Sequence, residues 1–527
     1  MSVRVFLFLG LISLFSCVNE SDYDIKAVNL QPVVALPLAY GNISILELLT
    51  NKDSAYIKTY PDGLLYFYYQ DSLNSNAINQ LNGLKIPVKN VTVGLQLPSG
   101  TIPPNSNDVS VITVNQQIDI GLSPAQLSEM LLKSPSILGY NLAVSPPNPN
   151  VPYQVNFTLT DIVDKNTQAP LAFSASSGVG SQNLQNYIIK MNKNKFNIKL
   201  ELVLKKHTNS IYISPGSIVN ASLSFTGSGS NGLSYTYIKG FLGDQTATIP
   251  SQTIDISVFN SSLLKSKVSF VQPKLGLIVT NDYGVPLEVT FSKLEAQKGT
   301  SALPLQISPA SPVTVNYPTT LGSSAITNIS VTNPINVINF GPTQLTYSAS
   351  ARINKGLTGG NNFLADTSRL RIKLTAEIPL YGQASGISML DTLNIDLSKI
   401  TQADISKAAL IVKATNELPL DAYIQMYLAD KNYTILDSLL TTNQLYLVKA
   451  SSVTGAGELQ TPGTSDQKLD LATEKINKLF SSSHILIRSR LNTAKDPSGN
   501  LLNVKFKASY KLKLNVGILA TLNITAR

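Results

Sequence analysis

Residues 504–516 read Val-Lys-Phe-Lys-Ala-Ser-Tyr-Lys-Leu-Lys-Leu-Asn-Val, and their alternation decides the fold class. Val504, Phe506, Ala508, Tyr510, Leu512, Leu514 and Val516 fall on one side of a two-residue period, while Lys505, Lys507, Ser509, Lys511, Lys513 and Asn515 fall on the other. That period belongs to a β-strand with one dry face and one wet face. The run is longer than a common strand and implies a long, curved sheet. Upstream, His484-Ile-Leu-Ile-Arg-Ser-Arg-Leu491 precedes the turn signal Asp496-Pro-Ser-Gly-Asn500, so the two runs are expected to form an antiparallel hairpin. Lys505, Lys507, Lys511 and Lys513 would then project as one row. Such a row is either a solvated sheet surface or a docking face for an acidic partner or lipid headgroups.

The same period recurs along the chain. Tyr153, Val155, Phe157 and Leu159 alternate with polar residues, as do Ile198, Leu200, Leu202 and Leu204. The fold class is therefore mainly β, with several antiparallel β-sandwich-like units, long strands and a few short helices. Helix starts are expected at Ser123-Pro124-Ala125-Gln126, a capping box leading to Leu132, and near Ser465-Asp466, leading to Phe480. A third candidate spans Ser44 to Thr50. Composition shifts and loops rich in Pro, Gly, Ser and Asn suggest an N-terminal β-rich region over 27–260, as one unit or two, a middle β domain over 261–400 and a C-terminal β domain with one helix over 401–527. Leu277-Ile-Val-Thr-Asn-Asp-Tyr-Gly-Val-Pro-Leu-Glu-Val289 is similar to Leu410-Ile-Val-Lys-Ala-Thr-Asn-Glu-Leu-Pro-Leu-Asp-Ala422. Each reads as a buried strand, an Asn turn and a Pro-Leu opening of the next strand, which makes two related β-units plausible.

The chain begins Met-Ser-Val-Arg, followed by an apolar run from Val5 to Phe15 that is too short to span a bilayer as a mature helix. Residues 1–16 read as a signal peptide. The run ends Leu14-Phe15-Ser16-Cys17, and this resembles the lipobox of bacterial lipoproteins, in which the cysteine thiol takes a diacylglycerol and the new N-terminus is acylated. Several acyl chains give lasting attachment where one alone is marginal. Phe15 departs from the small residue usual at that place. Residues 17–26 then form a lipidated polar tether, and its acids Glu20, Asp22 and Asp24 resemble the export signal of Bacteroidota lipoproteins that cross to the cell surface. Cys17 is the single cysteine, so once it is acylated no thiol remains for a disulfide, a zinc site or a nucleophile.

Leu64-Leu-Tyr-Phe-Tyr-Tyr69, Gly240-Phe-Leu-Gly-Asp244, Glu377-Ile-Pro-Leu-Tyr-Gly382 and the Asn-x-x-Pro-Leu openings are similar to segments of large, uncharacterised Bacteroidota surface lipoproteins. The resemblance spans most of the mature chain. It implies an all-β ectodomain on the outer membrane, facing the cell exterior, and carries over one functional residue, Cys17.

The net charge of +9 comes from 41 basic and 32 acidic residues, but arginines are few and the lysines are scattered along strands, which is not the pattern of a nucleic-acid binder. His207 and His484 are the two histidines, and neither stands in a zinc spacing or beside a Gly-x-Ser-x-Gly elbow. Gly227-Ser-Gly-Ser-Asn-Gly232 matches the dinucleotide fingerprint letter for letter, yet strands are expected on both sides where the fingerprint needs a helix to follow. No cofactor or metal is expected, and no catalytic residue is assigned. Tyrosine is plentiful at 22 while tryptophan is absent, which weakens glycan binding without removing it. The aromatic run Tyr66 to Tyr69 reads as a strand packed on both faces. Asp53-Ser54-Ala55, Asp71-Ser72-Leu73, Asp391-Thr392-Leu393 and Asp437-Ser438-Leu439 look like the O-glycosylation sequon of Bacteroidota. The leading expectation is a non-catalytic, lipid-anchored surface protein that binds or scaffolds within an outer-membrane complex of transporter or barrel-assembly type. The alternatives are a glycan-binding lipoprotein, marked by an exposed aromatic platform, and a lipid carrier, which needs an apolar tunnel.

Overall fold

A computed structural model of the chain describes residues 28–46, 56–73, 84–148, 150–227, 232–256, 267–397, 405–440 and 446–526. Cys17 and the residues of the expected signal peptide and tether lie outside these residues. The described chain is mainly β, in antiparallel sheets, with the two helices α1 (Pro334–Phe340) and α2 (Thr473–Phe480). Alternating burial runs along the strands, as the sequence requires. On the last long strand, Leu512, Leu514, Val516, Ile518 and Ala520 are each 1% exposed or less, and burying a large aliphatic side chain of this kind stabilises by about 2 kcal/mol.

Three sets of eight strands carry the architecture. In chain order they begin with β1 (Val33–Ser44) and β2 (Leu65–Leu73). Next come β3 (Lys89–Gln96), β4 (Val109–Asp119), β5 (Ile137–Ser145), β6 (Tyr153–Asp164), β7 (Pro170–Ala175), β8 (Gly178–Asn183), β9 (Lys195–Leu204) and β10 (Ile218–Thr226). There follow β11 (Gln245–Asp255), β12 (Lys274–Asn281), β13 (Leu287–Lys298), β14 (Val313–Val315), β15 (Ala325–Val331), β16 (Gln344–Ile353) and β17 (Leu370–Pro379). The last are β18 (Tyr381–Asn394), β19 (Ile405–Asn416), β20 (Leu420–Ala429), β21 (Tyr446–Val448), β22 (Gly463–Leu471), β23 (His484–Thr493) and β24 (Lys511–Leu522).

The sheet order repeats three times. β3-β10-β5-β8 goes with β4-β9-β6, which β7 joins at β6; β2-β17-β12-β15 goes with β11-β16-β13, which β14 joins at β13; β1-β24-β19-β22 goes with β18-β23-β20, which β21 joins at β20. Each set visits its two sheets in the same sequence. The first set therefore lies in the chain between the first and second strands of the second set, and that pair lies between the first and second strands of the third. One hydrogen bond marks the equivalence. The N–H after the seventh strand donates to the carbonyl of the proline that opens the fourth: Lys205 to Pro152 at 2.8 Å, Asn354 to Pro286 at 3.0 Å and Ala494 to Pro419 at 3.0 Å. The first residue pairs agree as well, Tyr153 with Leu204, Leu287 with Ile353 and Leu420 with Thr493. α1 and α2 occupy the same place, each ahead of the seventh strand of its set.

Two compact units emerge, and they are not the contiguous segments the composition suggested. Unit 1 comprises 1–68, 258–273 and 378–527; unit 2 comprises 69–257 and 274–377. The nesting explains this, because a strand that opens one sandwich is separated from its partners by everything inserted after it. In unit 2, Tyr140 of β5 meets Phe157 of β6 and Phe173 of β7 at 5.9 and 5.4 Å, and Phe196 of β9 meets Phe225 of β10 at 5.4 Å. These rings tie the two sheets of the first sandwich. In unit 1, a Cβ on Gly41 of β1 would stand 3.2 Å from Leu393 of β18, a close approach of the two sheets.

Several local expectations are corrected. Gln126–Leu132 is a strand, pairing with Tyr187–Lys190 and Tyr235–Phe241. Its register shifts so that Leu127 lies opposite Gly240 and Glu129 opposite Lys239. The bulge leaves Ser128 as an extra residue and breaks the two-residue period, which makes the apolar spacing look helical. The segment from Ser465 begins as β22, whose exposed, charged residues mimic a helix surface although Leu469 pairs with Leu410 of β19; α2 starts at Thr473. The expectation over 44–50 holds as far as it can be followed: Ser44 ends β1, Ile45 and Leu46 are helical, and residues 47–50 lie outside the described residues.

The C-terminal run is not one strand. Val504–Lys505 pairs with β18, Phe506 and Ala508 donate to the carbonyls of Leu380 and Gly63, and β24 starts at Lys511. Val504 and Tyr510 are buried on either side of the corner between sheets, while Lys505, Phe506, Lys507 and Ala508 within it are all partly buried. The expected hairpin does not form either, since β18 and β20 occupy both edges of β23. The turn at Asp496–Asn500 is present, closed by the Asp496 N–H to the Asn500 carbonyl at 2.9 Å.

Candidate functional site

The four lysines of the expected row separate at that corner. Lys505 and Lys507 both reach Glu458, with Nζ at 3.1 and 3.3 Å from Oε1. The Lys505 ammonium, followed by that of Lys507, holds the Glu458 carboxyl below its usual range. Lys513 pairs with Glu417 at 3.5 Å. Lys511 and Lys513 stand on β24, in a different sheet from Val504–Lys505. Most of this charge is matched within unit 1, and no single face presents all four.

A different surface of unit 1 gathers unmatched chemistry. On β23, His484, Leu486, Arg488 and Arg490 alternate outward with the buried Ile485, Ile487, Ser489 and Leu491. β20 places Tyr427 beside Leu486, Gln425 beside Arg488 and Tyr423 beside Arg490. On the other flank, β18 places Thr392, Leu390 and Ser388, and Leu390 is 73% exposed. The Arg488 guanidinium carbon is 5.6 Å from the Tyr427 ring centre, within cation–π range. Asp421 lies farther along the same strand of β20 and accepts the Ala450 N–H at 2.8 Å.

Tyr433 closes one end of this face. It belongs to the turn after β20, where Asp430 Oδ1 accepts the N–H groups of Asn432 at 2.8 Å and Thr434 at 2.9 Å. Those bonds hold the Asp430 carboxyl below its usual range, the Thr434 N–H most of all. Tyr433 has φ 64°, the left-handed region that glycine and asparagine enter most readily. Its ring stacks on His484 at 4.5 Å and 9°, while His484 Nδ1 lies 2.9 Å from Asn394 Oδ1. Tyr433 remains 59% exposed, so packing does not account for a bulky side chain there. The alternation over 484–491 is the signal that could have found Arg488 and Arg490, which the expected site did not include; Tyr433 carried none, because its ring reaches His484 through a turn.

The other sequence candidates sit elsewhere. His207 bridges to Asn105 through backbone bonds of 2.9 Å, its Nδ1 is 3.1 Å from the Lys205 carbonyl, and its buried Nε2 has no hydrogen-bond partner among the described residues. Among the described residues, no three His, Cys, Asp or Glu side chains group to hold a metal ion, and no helix is long and apolar enough to cross a membrane. The glycine-rich loop at 227–232 joins two strands, Ile218–Thr226 and Tyr235–Phe241; its residues 228–231 lie outside the described residues. In the run Leu65 to Tyr69, Leu65, Phe67 and Tyr69 are buried, while Tyr66 and Tyr68 are only partly buried. The run is dry on one face and not on both; Tyr66 stacks on Tyr60 at 4.1 Å, and Lys58 lies 4.1 Å over Tyr68. Of the glycosylation-like tripeptides, Asp71, Asp391 and Asp437 each accept the N–H of the following hydroxyl residue; 53–55 lie outside the described residues. An apolar depression of about 660 Å3 lined by Leu36, Pro37, Ile411, Val516 and Gly517 lies open on the β1-β24-β19 sheet, a trough and not a tunnel.

No family model matches the chain, and no curated protein matches it. The crystal structure of a candidate secreted protein from Parabacteroides distasonis aligns with 93% of this chain and 99% of its own, at 12% identity and a TM-score of 0.28. At that score the likeness carries no argument.

Proposed function

We propose that this chain is a non-catalytic, lipid-anchored protein of the outer-membrane surface that acts as a binding or scaffolding subunit beside an outer-membrane complex. The anchor is Cys17, behind the signal-like run, with Glu20, Asp22 and Asp24 directing the chain outward. The observation that carries a binding role is the outer face of β18-β23-β20, where the exposed Arg488 and Arg490 stand beside the partly buried Tyr427 and Tyr423, with the exposed Tyr433 at one end. That same face supports the second reading, glycan binding, because Tyr427 and Tyr433 stand beside the outward residues of β23. The open trough on the other sheet gives the lipid-carrier reading little support.

Protease added to intact cells tests the placement. The ectodomain should be degraded while periplasmic markers survive, and replacing Glu20, Asp22 and Asp24 should lower the exposed fraction. Crosslinking in the same cells should then recover an outer-membrane protein. Full protection of the wild-type chain would place it on the inner leaflet and contradict the proposal.

A further inference from the structure

We propose that the outer face of β18-β23-β20 binds an acidic polysaccharide, with Arg488 and Arg490 pairing its anionic groups and Tyr433 and Tyr427 supporting its sugar rings. This deepens the glycan reading above and is independent of where the chain is anchored.

The arginines supply the first observation. Arg352 forks onto Asp244 at 2.8 and 2.7 Å, Arg371 forks onto Asp282 at 2.9 and 2.8 Å, and Arg369 Nη1 donates to the carbonyls of Asp366 and Ser368 at 2.8 Å each. Arg488 and Arg490 are exposed and make no ion pair among the described residues. Two residues apart on one strand, they stand about 7 Å from each other. A guanidinium matches a carboxylate or sulfate as a two-pronged fork, so the pair reads repeated negative charge along an extended chain.

Tyr433 supplies the second, independent observation. Left-handed backbone costs a residue with a Cβ about 1–2 kcal/mol, and such strain persists where function requires it. Here it holds an exposed ring flat on His484 at one end of the arginine row. A tyrosine face is apolar in its body and polar at its tip, which suits the C–H face of a pyranose. An acidic peptide would also pair the arginines, but without rings to match the tyrosines, and it could not add as a strand, which needs a free edge. Here the edges of β18, β23 and β20 are occupied by Lys267–Phe270, by each other, and by Ile435–Ser438 and β21.

The test uses the full chain carrying Cys17→Ser, so that failed lipidation cannot mimic failed binding. Polygalacturonate, dextran sulfate, neutral dextran and poly-glutamate are titrated by calorimetry. Binding to polygalacturonate or dextran sulfate is expected, with dextran and poly-glutamate at least tenfold weaker. Arg488→Gln with Arg490→Gln should lose tenfold or more and flatten the salt dependence. Tyr433→Gly should lose about threefold or more in affinity while the melting temperature holds or rises, an opposition that a purely structural tyrosine would not give. Lys511→Gln should leave binding unchanged. Equal binding by the double-arginine protein, equal affinity for poly-glutamate, or no binding to either acidic polysaccharide would overturn the proposal.

Discussion

Asn416 ends β19 with its side chain wholly buried at 0% exposure, and replacing it with alanine should cost unit 1 more than any surface change. Its Nδ2 donates to the carbonyls of Leu420 at 2.8 Å and Lys449 at 2.9 Å, while its Oδ1 accepts the Leu418 N–H at 2.9 Å. These bonds fix the crossing from β19 into β20 and tie it to the end of β21. Asn416→Ala leaves two carbonyls and one N–H without a partner. At roughly 1 kcal/mol net per bond, and more where the group left behind stays dry, the loss is about 3 kcal/mol. With a urea slope near 3 kcal/mol per molar, the unit 1 midpoint should fall by about 1 M. Asn281 is the counterpart in unit 2, giving Nδ2 to the Asn316 carbonyl at 3.0 Å and accepting the Tyr283 N–H at 2.9 Å. With one bond fewer, Asn281→Ala should cost about 2 kcal/mol. Urea titration followed by circular dichroism, with hydrogen exchange assigning the loss to a unit, measures both. If Asn416→Ala shifts the midpoint by less than about 0.2 M, these bonds do not hold the crossing as argued.

The Asp244 carboxyl in unit 2 is lowered to about 2, first by the Arg352 fork and then by the Gly356 N–H. Because its folded pKa lies below the unfolded value near 3.9, its contribution is present above about pH 4 and is lost as pH falls toward about 2. Asp244→Asn should therefore flatten the acid limb of unit 2 stability over that window in urea midpoints taken at stepped pH, and an unchanged limb would count against the pairing. Gly240, at the bulge opposite Leu127, has φ 129°, and a Cβ there would stand 2.5 Å from the Gln126 carbonyl oxygen. Gly240→Ala should cost about 2 kcal/mol or more. Gly94→Ala, whose Cβ would meet nothing nearer than Ile218 at 3.7 Å, should be close to neutral by the same titration.

The sheet class was legible because burial on one face imposes a two-residue period wherever a strand is regular. It failed where geometry departs from regularity. Ser128 adds one residue at a bulge and turns a strand into an apparent helix, and 504–516 keeps its alternation through a corner between sheets. The similarity of 277–289 to 410–422 pointed to two copies because both retain the Asn turn. The third copy keeps its proline at Pro152 and an asparagine at Asn148, whose Oδ1 accepts the Asn150 N–H at 3.2 Å, but three further prolines around that turn hide the likeness, so pattern alone passed over it. The nesting was not legible at all, since nothing local records that β1 pairs with β24. Of the candidate site, outward arginines could be read from β23, but their lack of a partner and the ring of Tyr433 on His484 depend on which strands become neighbours.

The central claim is a lipid-anchored surface protein, and metabolic labelling with a clickable fatty acid tests it most directly. Wild-type chain should carry the label and sediment with the outer membrane, whereas Cys17→Ser should be unlabelled and released into the soluble fraction. A Cys17→Ser protein that still incorporates label and stays with the membrane would contradict the account.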